Sequence, residues 1–198
     1  DINFGSNPDG TTYGQFETDF YAGIKPVWGP VTFDLGVIYY AYPGGKDGGP
    51  AINQFRELDY VEGKVGASVS LIPKLTTGVT VFYSPQYTGG QGEVVTVEGV
   101  AAYEFPAFFK IVPTLSGTLG GVFGDAGSIN DPFITANGKD SYMYWNAGMT
   151  FGLDKLSIDF RYWDTNIPDG GAIAATGFCS AKLLGCDERF VATAKVTF

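Results

Sequence analysis

From Thr12 onward the chain alternates apolar and polar residues with a period of two, the pattern of strands with one apolar and one polar face. Phe16, Thr18, Phe20, Ala22 and Ile24 share one face, while Gln15, Glu17, Asp19, Tyr21 and Lys25 share the other. After a turn bracketed by Pro26 and Pro30, Val31, Phe33, Leu35, Val37 and Tyr39 oppose Thr32, Asp34, Gly36, Ile38 and Tyr40. The same phase sets Val61, Gly63, Val65, Ala67 and Val69 against Tyr60, Glu62, Lys64, Gly66, Ser68 and Ser70. It continues through Thr77 to Tyr83, Val95 to Glu104, Thr114 to Gly124, Tyr142 to Phe151 and Leu156 to Trp163. The last ten residues, Arg189 to Phe198, put Phe190, Ala192, Ala194, Val196 and Phe198 on one side of a final strand. Nine strands are predicted, with Asp1 to Gly5 as the end of another.

The connections alternate as well. Tight turns at Ile72-Pro73-Lys74 and Gly152-Leu153-Asp154-Lys155 separate strands whose other ends lead into long Gly-rich or polar stretches, such as Pro43 to Pro50. Strands of about ten residues, long loops on one side and short turns on the other match the layout of an antiparallel transmembrane β-barrel. A soluble ligand-binding β-barrel also alternates, but turns its apolar phase inward and carries a heavily charged exterior. The polar phase here consists of Tyr, Gly, Thr, Ser and isolated charges. The expected fold is therefore all-β, a single outer-membrane barrel domain.

Composition sharpens this reading. Only 17% of residues are charged, 16% are aromatic and 29 are glycine, whereas about 25–35% of a soluble surface alone is expected to be charged. No run of 18 apolar residues is present to make a helical span. A net charge of −9 argues against nucleic acid as a partner. The chain has no histidine, which excludes His-based catalysis and leaves the usual zinc sites without their commonest ligand. Cys179 and Cys186 lie in one polar segment. As a disulfide they fit an oxidising compartment such as the cell envelope; the alternative is a pair of reduced thiols.

Several segments resemble one family, the TorF-type porins of proteobacterial outer membranes. They are Asp1-Ile2-Asn3-Phe4-Gly5, Phe20-Tyr21-Ala22-Gly23, Asp34-Leu35-Gly36-Val37-Ile38-Tyr39-Tyr40, Tyr42-Pro43-Gly44, Tyr83-Ser84-Pro85 and Tyr162-Trp163-Asp164-Thr165. The resemblance implies about three further N-terminal strands. Added to nine these give about twelve, an even number as single-chain bacterial barrels use. It also implies a bacterial outer-membrane location, and that the terminal Phe198 is the aromatic read by the barrel assembly machinery. No catalytic residues come with it.

Other candidate chemistry dissolves on inspection. Gly44 to Gly49 and Gly117 to Gly124 lack the Gly-Lys-Ser/Thr ending of a phosphate loop. Asp164, Asn166, Asp169 and Gly170 fall short of a calcium loop in spacing and closing acid, so no metal site and no cofactor is expected. The expected function is a non-enzymatic, porin-like channel for passive diffusion of small hydrophilic solutes or ions. Its alternative is a non-conducting structural or surface-interaction barrel. The phase turns Phe16, Phe20, Ile24, Val37, Val65, Val97, Trp145, Met149, Phe160 and Val196 toward outer-membrane lipid. Glu17, Asp19, Asp34, Glu62, Lys64, Glu98, Asp159 and Arg161 then line the pore. With Glu104 this lumen holds seven acids against five bases (Lys25, Lys64, Arg161, Arg189 and Lys195), and the long loops carry a larger acidic excess. A weak cation preference set mainly at the outer mouth follows.

Overall fold

The computed structural model describes residues 16–43, 59–87, 92–124, 141–166 and 188–198. Ten strands run in chain order: β1 (Thr18–Ile24), β2 (Val27–Trp28), β3 (Val31–Ala41), β4 (Tyr60–Ile72), β5 (Leu75–Ser84), β6 (Val94–Glu104), β7 (Val112–Gly124), β8 (Ser141–Leu153), β9 (Leu156–Thr165) and β10 (Arg189–Val196). Nine of them form one antiparallel meander in the order β1-β3-β4-β5-β6-β7-β8-β9-β10, and the two-residue β2 pairs with β3 beside that path. The strand count thus exceeds the sequence expectation by one. The extra strand is Val27–Trp28 between two prolines, too short to carry a periodic signal.

The sheet is open. Among the described residues β1 and β10 each pair on one side only, so the expected closed barrel is not formed by them. In a meander each strand reverses the one before, and β1 and β10 both run from the long-connection end to the short-turn end. The expected stub at Asp1 to Gly5 lies outside the described residues.

Register makes the two faces continuous from edge to edge. Residues directly opposite each other in a ladder lie on the same face. Ile24 therefore shares a face with Leu35, Val65, Val81 and Val97, and Met149 with Phe160 and Ala192. Asp34 shares the other face with Gly66, Thr80, Glu98, Gly120 and Tyr144. The apolar face is the exposed one. Val65 is 59% exposed and Phe20 62%, whereas Glu62 on the polar face is 8% exposed. Val94 and Val122 are the buried hydrophobics of the described residues, and both lie on the polar face, near the ends of β6 and β7. The apolar phase thus builds no core of its own, and what covers it must come from outside the sheet.

The short turns hold backbone that L-residues disfavour. Pro73-Lys74 closes β4 onto β5 with Lys74 at φ 73, the position where a type II turn takes glycine. Asp154 has φ 51 between β8 and β9. Between β6 and β7, Phe109 and Lys110 have φ 52 and 154 at the tip of a small excursion closed by the Phe108–Ile111 bridge. Each such residue costs about 1–2 kcal/mol relative to glycine.

Candidate functional site on the polar face

All eight residues expected to line a pore fall on one face. Asp34, Glu62, Lys64, Glu98, Asp159 and Arg161 are placed there by their ladder partners, and Asp19 lies opposite Tyr40. Glu17 precedes β1 in the same phase and accepts the hydroxyl of Tyr42. Burial, and then that carboxylate, hold the Tyr42 phenol well above its ordinary titration range.

The bases are engaged by acids in two groups. Lys64 Nζ donates to Asp34 Oδ2 at 2.7 Å, and Lys25 Nζ approaches the same oxygen at 3.4 Å. Gly36, opposite Lys64, lies close against β1, where an added Cβ would stand 3.1 Å from the Ala22 carbonyl oxygen. The second group centres on Arg161. Its guanidinium binds Asp159 through Nε and Nη2 at 3.1 and 3.0 Å, Asn146 Oδ1 at 2.6 Å and Ser116 Oγ at 2.8 Å. Thr150 Oγ1 gives Asp159 a further hydrogen bond at 2.6 Å. Arg161 reaches β7 from β9 because Gly148 lies between; a Cβ there would stand 2.9 Å from the Arg161 Cβ. This planar fork, with fixed partners on three strands, is a cross-brace of the sheet.

Toward the long connections the acids take tyrosine hydroxyls instead. Tyr40 donates to Glu62 at 3.1 Å and Tyr144 to Glu98 at 2.5 Å. Tyr40 stacks on Tyr60 with ring centroids 4.4 Å apart, and Tyr87 tilts against Tyr60 at 4.7 Å. On nearby positions of β4, Glu62 is almost fully covered while Val65 on the other face is well exposed, so the sheet curls with its polar face on the inner, concave side.

A further set lies on the apolar face, at the edge of the long connections. Tyr39 donates to Asp59 at 2.8 Å, Tyr83 to Glu93 at 2.9 Å and Tyr162 to Asp164 at 3.1 Å. Sequence reasoning missed these pairs, since only register brings residues as far apart as Tyr39 and Asp59 together. The one available signal was Tyr recurring on the apolar phase close to strand ends.

Among the described residues no group of three or more metal-ligating side chains comes together. Cys179 and Cys186 lie outside the described residues. The sequence profile of a family described as bacterial protein of unknown function (Gcw_chp) matches residues 3–198. The chain belongs to the Gcw_chp family. No curated protein and no solved structure matches it. In this Gcw_chp protein the polar face offers charge, hydroxyls and aromatic rings in a concave surface, its hydroxyls at Tyr40, Tyr144 and Thr150 held by the carboxylates of Glu62, Glu98 and Asp159. That arrangement can bind and guide a solute.

Proposed function

We propose that this protein is an outer-membrane β-barrel channel of the TorF-type porin kind, through which small hydrophilic solutes diffuse passively with a weak preference for cations. The observation that carries this reading is the inversion of the sheet. An unbroken apolar face is left exposed across nine strands while acids, bases and hydroxyls crowd the concave side. Water penalises that arrangement and a bilayer favours it. The tyrosines bonded to carboxylates at one edge of the apolar face fit an interfacial girdle.

Strand direction limits how the proposed barrel can close. Because β1 and β10 run the same way, an all-antiparallel barrel needs an odd number of strands between them. Three such strands give the barrel of about twelve that the resemblance implies. The second reading, a barrel too filled to conduct, is favoured by the Arg161 brace, which occupies part of the concave face. Planar-bilayer recording of the full-length protein separates the two. Discrete open steps support the channel, and silence from correctly folded protein overturns it in favour of the structural barrel.

A further inference from the structure

The short-turn end combines three features that neither passage of solute nor closure of the sheet requires. It is basic: Lys74, Lys110 and Lys155 are exposed and join no ion pair among the described residues, against Asp154 and Glu104 at the same end. The opposite end is acidic, with Asp59, Glu93, Asp164 and Glu188 against Arg189 among the described residues. The short-turn end also projects aromatic surface, Trp28 at 81% and Phe109 at 83% exposed. Finally, the four non-glycine residues with positive φ among the described residues all lie at this end, and beside Asp154 they are Lys74, Phe109 and Lys110, in a chain that has 29 glycines. Backbone strain of this kind clusters at ligand clamps and other functional sites.

We propose that this rim is an anchor for anionic glycerophospholipids. Lys74, Lys110 and Lys155 hold headgroup phosphates while Trp28 and Phe109 sit at the level of the acyl ester carbonyls. The charge is complementary, the aromatics suit the polar–apolar boundary, and both follow the edge of the exposed apolar face. The anchor rests on the membrane reading above. It adds a lipid-binding surface at the end away from the long connections, which fixes that end in the leaflet richer in anionic phospholipid.

The test uses full-length protein in which every tryptophan except Trp28 is replaced by phenylalanine. It is folded into vesicles of equal phosphatidylcholine and phosphatidylglycerol, with one or the other lipid brominated. Brominated phosphatidylglycerol is expected to quench Trp28 at least twofold more than brominated phosphatidylcholine, and the preference is expected to vanish in Lys74→Gln/Lys110→Gln/Lys155→Gln. Equal quenching by both lipids overturns the anchor and leaves the membrane reading standing. Quenching by neither overturns the membrane reading and the anchor with it. As a control on the tryptophan replacements, native mass spectrometry of the unsubstituted protein from the same mixture should find retained phosphatidylglycerol in excess. Retention of both lipids in their bulk ratio likewise overturns the anchor.

Discussion

Tyr144 on β8 lies over Gly120 on β7 and delivers its hydroxyl to Glu98 on β6 at 2.5 Å. The bond joins two strands that are not neighbours, and it exists because the strand between them carries no side chain at that position. A Cβ on Gly120 would overlap the Tyr144 ring.

Gly120→Val should therefore destabilise the folded protein by about 1–3 kcal/mol, the usual cost of overpacking, by driving the ring off its site. Tyr144→Phe removes only the hydroxyl and should cost about 1.5–3 kcal/mol for a hydrogen bond to a carboxylate. In the double variant the two losses should be less than additive, because the displaced ring no longer has the bond to lose. Denaturant midpoints of the lipid-folded protein measure all three, and strict additivity would disconnect Gly120 from the Tyr144 bond.

Arg161 makes a different demand. Arg161→Met leaves Asp159 and the Asn146 amide without their strongest partner on a half-buried surface, and should cost about 2–3 kcal/mol. Asp159→Asn keeps a polar partner and should cost less, while in an open channel it shifts reversal potential toward anions. A larger loss for Asp159→Asn than for Arg161→Met would mean that the guanidinium is held mainly by Ser116 and Asn146.

Adjacent residues on β4 test which face meets lipid. A spin label at Val65 should be accessible to oxygen and one at Lys64 to an aqueous relaxation agent, since the two project from opposite faces. Val65→Lys should lower stability by roughly 2–4 kcal/mol if its position is near the bilayer midplane. Aqueous access at Val65 together with oxygen access at Lys64 would reverse the faces and remove the basis for a membrane barrel.

Selectivity should be salt-dependent. If the proposed channel conducts, it should favour cations under a salt gradient, and the preference should weaken as ionic strength rises, because exposed charges are screened within about 8 Å at physiological salt. Neutralising Asp47, Asp125, Asp131 and Asp169 together should weaken it further. Anion preference at low salt, or a preference indifferent to these four acids, would move its origin from the mouth or abolish it.

Period-two alternation was enough to assign faces to residues from Phe20 through Val65 to Val196, because each residue's side follows from the parity of its position along the strand. Register was not legible in the same way. A slip of two residues preserves every apolar and polar assignment while changing every partner. Hence Lys64 and Asp34 could be put on one face from sequence, but their 2.7 Å pairing could not, nor could the reach of Arg161 to Ser116. Nor does the sequence alone show that Gly120 and Gly148 make room for the long side chains of Tyr144 and Arg161. Val27–Trp28 escaped because two residues between prolines hold no period, and the expected closure is not met among the described residues because β1 and β10 are both left as edges.

The shared direction of the two edges also bears on how such a protein can vary in size. A related chain that kept both edges as they are could change its strand number only by whole hairpins, such as β4 with β5 or β8 with β9. At a strand spacing of about 4.8 Å, one hairpin adds or removes roughly 10 Å of girth. In the proposed barrel the width of the enclosed space is therefore stepped, and a mutational path between two calibres must insert or delete a two-stranded unit together with its turn.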